Sequence, residues 1–395
     1  MTFYNRKVLG ELRKWVDKPV ILVVTGMRQV GKTTILRMLF DEINSSNKVF
    51  LDLENPLIQQ VFRERDFDNI WGNLKRYGIV SDVKAYVFLD ELQLMPESVK
   101  AIKYLFDHYD VQFFVTGSSS FYLKNLFPES LAGRKVVFEL FPLDFEEFLW
   151  FKGVKKDFQS KFIDKDADKS IVSYERSIKF YGEYLRWGGF PKVVLAMGDD
   201  EKKALIEDVY KSYFEVEVRS LAEFRDIHKL HDCIRLLMQR VGSRLNVNRL
   251  SQELEVSRPT VYSYLSFLQA TYFLSLVSPY SRSVDKEISV SKKVYLCDTG
   301  ILNQLAQVSS GSVLENAVHN AIRGFHDVRY YQSRRGVEID FILAKEGIAL
   351  EVKERGNEQD RNHLSRLVKE LKLKESYVIS KEYVGLEGFI CATDV

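Results

Sequence analysis

Gly26-Met27-Arg28-Gln29-Val30-Gly31-Lys32-Thr33 satisfies the pattern GxxxxGK[ST] and runs on into Thr34. A β-rich apolar run, Val20 to Thr25, enters this loop, and a helical pattern leaves it, which is the context the motif requires. Glycines let backbone N–H groups close around phosphate, and the start of the helix adds positive potential. Residues 26–34 are therefore expected to bind ATP with Mg²⁺, with Lys32 reaching the β- and γ-phosphates and Thr33 ligating the metal. A second run, "AYVFLDELQ" from Ala85, reads as a buried parallel strand that opens onto a ligand at its acidic end. Asp90 would hold Mg²⁺ through water and Glu91 would polarise the attacking water, so the pair points to hydrolysis. "VQFFVTGSSS" supplies a third strand, where Thr116 or Ser118 would touch the γ-phosphate or the water, or else only build a turn. "LAGRKVVFEL" supplies another strand preceded by Arg134, which reads as a finger on the γ-phosphate, in cis or in trans, or as a surface ion pair.

A second group of chemically active residues lies near the C-terminus, in "GVEIDFILAKEGIALEVKE". Strand alternation puts Glu351 and Lys353 on one face, and Asp340 interrupts the apolar run of the strand before it. Glu315, on a helix with Val318 and Ile322 along its face, is a further inward candidate. Asp340, Glu351 and Glu315 with Lys353 beside them are expected to converge on one metal ion able to position water at a phosphodiester. A solvated hairpin, or a fold whose chemistry is unused, would account for the same residues.

The elements that must carry these groups demand a multidomain α/β chain. At 395 residues with 46% hydrophobic and 28% charged residues, the protein exceeds one ordinary core. A net charge of +2 favours neither nucleic acid nor an acidic partner as a whole, so any basic surface must be local. Three scattered cysteines without a CxxC pair argue against a disulfide frame or a zinc site. No apolar run approaches the roughly 20 residues that span a bilayer, and the N-terminus reads as an amphipathic helix, so no membrane partner and a cytoplasmic location are expected.

Between the two chemical ends, residues 151–166 read as a mobile connector, and a long charged helix follows with an apolar stripe suited to packing on the N-terminal domain. Trp187, Phe190 and Pro191 read as a wedge at a helical junction. "NVNRLSQELEVSRPTVYSYLSFLQ" reads as helix–turn–helix, with Ser257 as N-cap and flanking strands that would make it winged. Docked on DNA, Arg258, Thr260, Tyr262 and Ser263 would enter the major groove, with Arg282, Lys286, Lys292 and Lys293 on phosphates. A protein-packing role fits the same pattern. The expected boundaries are 1–150 for the nucleotide domain, 151–225 for a helical connector, 226–300 for the winged-helix-like part and 301–395 for the C-terminal domain.

Residues 1 to about 150 resemble the AAA+ branch of P-loop ATPases in "TGMRQVGKTT", "FLDELQ", "TGSSS", "LAGR" and "FPLDFEEFL". The order of these motifs, with "YLRWGGFPKVVLA" and the terminal stretch, is similar to a prokaryotic family that joins this ATPase to a C-terminal domain of unknown function. The array Glu315…Asp340…Glu351-x-Lys353 resembles the restriction-endonuclease-like superfamily, with Ile339 where its usual proline stands. The family resemblance implies ATP binding and hydrolysis and supplies no substrate; the leading reading is an AAA+ switch or motor acting on DNA or a protein–DNA complex, with a candidate metal-dependent nuclease. The competing reading is an ATP-gated signalling scaffold whose C-terminal domains only bind a protein partner. Oligomerisation is compatible with both.

Overall fold

The computed structural model describes residues 4–117, 133–218, 226–281, 291–325, 327–333 and 336–395. The chain forms two compact units, one of residues 1–141 with 270–272 and one of residues 142–269 with 273–395.

The first unit is built on a parallel sheet of five strands in the order β2-β3-β4-β1-β5, with β1 Ile21–Gly26, β2 Lys48–Asp52, β3 Ala85–Asp90, β4 Val111–Gly117 and β5 Lys135–Leu140. Strands β1 and β4 are buried along their whole length, as expected of strands covered on both faces by helices. Helix Lys32–Glu42 follows the first strand and helix Ser98–His108 leads into the fourth. Three aromatic rings lock one side of the sheet: Phe88 stacks on Phe114 at 4.2 Å, and Phe40 meets Phe88 edge-on at 5.3 Å. Such pairs add about 1 kcal/mol each beyond the area they bury. Because all five strands run the same way, the C-terminal ends of β1, β3 and β4 lie at one edge.

The second unit carries a mixed sheet of seven strands in the order β12-β11-β10-β9-β8-β6-β7. The strands are β6 Leu274–Pro279, β7 Lys293–Leu296, β8 Val328–Gln332, β9 Glu338–Leu343, β10 Ile348–Lys353, β11 Glu375–Ser380 and β12 Phe389–Cys391. β6 pairs with β8, so the sheet runs through the boundary expected at residue 300. That boundary is not seen by chain connectivity because strand pairing, not sequence proximity, closes the sheet. The N-terminal stretch of the compact first unit runs to Phe141.

The segment expected to be a loose connector contains helix Phe162–Ala167, whose Phe162 is buried and stacks on Tyr377 at 5.9 Å. The single apolar anchor of that helix left no periodicity to read. The stripe on helix Asp199–Ser212 is used within its own unit: Val209 is buried, and Tyr213 just beyond stacks on Phe273 at 4.7 Å. Trp187 and Phe190 are buried at a helical junction where Asp298 accepts from the Gly189 N–H at 2.7 Å. A Cβ on Gly189 would lie 2.1 Å from the Leu143 carbonyl oxygen, so only glycine permits this approach.

Helices Ile227–Met238, Val247–Glu253 and Arg258–Ala270 precede the β6–β7 pair, and Val241 and Arg244 bridge to Val294 and Lys293. Ser257 Oγ accepts from the Thr260 N–H at 3.3 Å and caps the last of these helices. Among the described residues no helix is long and apolar enough to cross a membrane. The three cysteines are free and buried.

Candidate functional site

The nucleotide loop leaves β1 at Gly26 and enters its helix at Lys32, with Gly31 at φ 100° and Gln29 at φ 63°. A Cβ on Gly26 would fall 2.1 Å from the Leu140 carbonyl oxygen of the neighbouring β5, so the first glycine is required by sheet packing as much as by the loop. Lys32 is 4% exposed, and its ammonium donates to the carbonyls of Gly26 at 3.0 Å and Met27 at 2.9 Å. The lysine thus lies folded across the mouth of its own loop.

Asp90 ends β3 and is buried. The Thr116 hydroxyl, from the adjacent β4, donates to its carboxylate and accepts from the Glu91 N–H at 3.0 Å. Thr33 also hydrogen-bonds Asp90. Burial raises the Asp90 carboxyl above the usual carboxylate range, and the Thr116 and Thr33 hydroxyls work against that rise. Glu91 sits at φ 58°, in the left-handed region that costs a residue with a side chain on the order of 1 kcal/mol. Its carboxylate accepts from the Gln93 side-chain amide. Lys32, Thr33, Asp90, Glu91 and Thr116 are therefore gathered at one edge of the sheet. Their chemistry suits Mg²⁺ and phosphate: a cation, two hydroxyls and two carboxylates. Ser118 lies outside the described residues.

Arg134 is placed elsewhere. Its backbone carbonyl accepts from the Ile21 N–H, and Ile21 pairs with Lys135 while Gly26 pairs with Leu140. Arg134 thus stands at the entry end of the sheet, about 17 Å of strand from the phosphate loop at ~3.3 Å per residue. Its guanidinium pairs with Asp107 at 2.8 Å. A finger on the phosphate of its own chain is excluded by that register, and the surface ion pair is what the fold uses.

Arg6 also braces this loop. This buried arginine donates to the Val30 carbonyl at 2.9 Å and to the Phe141 carbonyl at 2.8 Å, joining the phosphate loop to the residue that follows β5. Nothing in a lone arginine of an amphipathic N-terminal stretch signals this.

At the C-terminal end, Glu351 pairs with Lys353 at 2.7 Å, and the Val352 N–H donates to Asp340 at 2.8 Å. Burial, with Asp340 nearby, pushes Glu351 up to about 7 against the pull of Lys353. Glu315 and Asp340 are likewise raised, by burial first. The acids gather, but not around an open position. Lys293 was expected on DNA phosphates; it is 2% exposed and lies 3.1 Å from Glu315 and 3.7 Å from Asp340, and also pairs with Glu338. Among the described residues no group of three or more His, Cys, Asp or Glu side chains is arranged to hold a metal ion. The donor set at this end therefore does not fit a divalent cation, because a lysine ammonium already stands among the carboxylates.

On the helix–turn–helix segment, Arg258, Tyr262 and Ser263 are exposed, Thr260 is half-buried and Lys292 is exposed. Arg258, Tyr262 and Lys292 line an open hollow together with Leu245, Leu265 and Leu276. Arg282 and Lys286 lie outside the described residues.

Residues 18–149 match the profile of the AAA domain family. The N-terminal unit, where this match lies, has a five-stranded parallel sheet like that of the P-loop ATPase fold. Residues 178–312 and 310–387 match two domains of unknown function, DUF8612 and DUF4143. An uncharacterized protein of Haemophilus influenzae is 27% identical over 96% of this chain and 95% of its own length. The uncharacterized protein MJ1544 of Methanocaldococcus jannaschii is 26% identical over 89% of this chain and 80% of its own. Among solved structures, the Aeropyrum pernix ORC1 protein in complex with DNA is 13% identical, with 77% of this chain and 92% of that chain covered and a TM-score of 0.32. The ADP form of the A. pernix ORC2 protein, also 13% identical, covers 68% and 85% with a TM-score of 0.34. Scores this low carry no argument about function.

Proposed function

We propose that the protein is an ATP-hydrolysing AAA+ switch whose second unit engages DNA or a protein–DNA complex. The observation that carries the ATPase reading is Asp90 at the end of β3, bonded by Thr33 from the phosphate-loop helix and by Thr116 from β4. Bound ATP·Mg²⁺ supplies the phosphoanhydride to be broken. Loop N–H groups of residues 26–34 take the phosphate oxygens, and Lys32 exchanges its carbonyl partners for the β- and γ-phosphates. Thr33 and Asp90 would hold Mg²⁺, which would offset the charge developing on the phosphates. Glu91 draws a proton from the attacking water, and Thr116 keeps Asp90 and the Glu91 backbone in register.

The DNA reading is supported by the exposed Arg258, Tyr262 and Ser263 at the start of a capped helix, with Lys292 beside the following strand. The arrangement of three helices and the β6–β7 pair suits a winged helix. A second reading, the signalling scaffold that only binds a protein partner, is favoured by Lys293 lying among the acids a nuclease would need for its metal.

Phosphate release at saturating ATP, with and without duplex DNA, separates these readings. Turnover is expected in the wild type, to rise with DNA, and to vanish in Glu91→Gln while a fluorescent ATP analogue still binds. Lys32→Ala should lose the binding itself. Wild-type turnover in Glu91→Gln sinks the hydrolytic assignment, and turnover indifferent to DNA moves the reading to the scaffold.

A further inference from the structure

Four carboxylates meet in the second unit, and each is answered by a protein donor. Glu315, on helix Ser310–Ile322, takes the Lys293 ammonium at 3.1 Å and the Tyr295 hydroxyl at 2.6 Å on the same oxygen. Glu338 and Asp340 stand two apart on β9 and so share a face. Glu338 pairs with Lys293, and Asp340 lies 3.7 Å from the same ammonium while its other oxygen accepts from the Val352 N–H at 2.8 Å. Glu351, on β10, is paired with Lys353. The ammonium of Lys293 is itself closed off, with the Tyr330 ring 5.7 Å away.

We infer that Lys293 is a built-in cation that occupies the position a divalent metal would take among Glu315, Glu338 and Asp340, so that the chain itself supplies this acid cluster with its counter-charge. A strand that follows the helix–turn–helix thereby becomes a fixed member of the C-terminal site: its lysine holds a helix (Glu315) and a sheet strand (Glu338, Asp340) to β7. Two positive charges meeting in one buried space repel strongly, so a divalent ion and the ammonium cannot share it. Removing the ammonium alone leaves buried carboxylates without a counter-charge, a strongly destabilising change. The same change opens a cation site lined by hard oxygen ligands, the kind that Mn²⁺ and Mg²⁺ prefer.

The test uses the full-length chain without nucleotide, with MnCl₂ as the probe and two readouts, thermal unfolding and the electron paramagnetic resonance signal of free Mn²⁺. Wild type and Asp340→Asn are expected to give the same Mn²⁺ response, because the cluster takes none. Lys293→Met is expected to melt below wild type in metal-free buffer, to recover as Mn²⁺ is added, and to lose that recovery in Lys293→Met/Asp340→Asn. Mn²⁺ uptake by wild type that disappears in Asp340→Asn overturns the inference, as does a Lys293→Met protein that melts like wild type or stays low at every Mn²⁺ concentration. If Lys293→Met does not fold, Lys293→Met/Glu338→Gln removes one charge of each sign and serves in its place. The wild-type arm decides the question without any change at Lys293.

Discussion

Replacing Thr116 by valine removes one oxygen and keeps the shape of a side chain with no exposed surface. That oxygen serves two partners. It donates to the Asp90 carboxylate and accepts from the Glu91 N–H at 3.0 Å. A hydrogen bond to a charged group contributes about 1.5–3 kcal/mol, and a buried N–H left unmet costs about 1–3 kcal/mol. The folded unit should therefore lose on the order of 3 kcal/mol of stability. The consequence for turnover is separable, because the hydroxyl also opposes the burial that raises the Asp90 carboxyl. Without it the carboxyl rises further, and protons compete with Mg²⁺ to a higher pH. Phosphate release measured against Mg²⁺ concentration at several pH values should show the acid limb of the valine variant displaced upward. At saturating Mg²⁺ the turnover should fall roughly 10- to 100-fold, equivalent to about 1.4–2.7 kcal/mol of barrier. ATP-analogue binding should change far less, since Thr116 is not part of the phosphate loop. Serine at the same position keeps the hydroxyl and should restore most of the rate. A valine variant with wild-type turnover and an unmoved acid limb would refute the linkage between Thr116 and Asp90.

Arg134→Ala should leave ATP turnover within about a factor of two of wild type, because its ion pair with Asp107 is exposed and such pairs contribute about 0–1 kcal/mol. A collapse in turnover that is rescued by mixing with Lys32→Ala protein would show a role across subunits instead. Asp298, pushed up to about 6 by burial against three backbone N–H donors and Arg323, predicts a pH signature. Its folded carboxyl keeps a proton that the unfolded chain releases near 3.8, so its contribution is complete below that pH and is lost as pH rises to about 6. Urea unfolding of wild type and Asp298→Asn should differ by an amount that shrinks across that window by up to about 3 kcal/mol, and a pH-independent difference would contradict the shift.

How much of this was legible from residue order depends on how local each requirement is. The phosphate loop was readable because its demands are contiguous: a glycine where a Cβ would strike Leu140, a left-handed glycine before the helix, then a lysine and a hydroxyl. The parallel strands were readable as apolar runs ending in Asp90 and Thr116, since strands covered on both faces carry no polar alternation. The common face of Glu351 and Lys353 followed from the two-residue period of a strand.

Other features were set by pairing between distant segments. Arg134 stands next to a glycine and before a strand, as a finger would, but the register Ile21 with Lys135 puts it at the end of the sheet away from the loop. Arg6 reaches Val30 and Phe141 across 24 and 135 residues, and Asp298 reaches Gly189 across 109. Lys293 reads in the sequence as one more basic residue of a hairpin. Its inward direction is decided when β7 joins the sheet and Glu315, 22 residues on, is brought against it. A backbone conformation is dictated by a residue and its neighbours. The partner of a buried charge is dictated by whichever strands close the sheet, and only the folded chain supplies that partner.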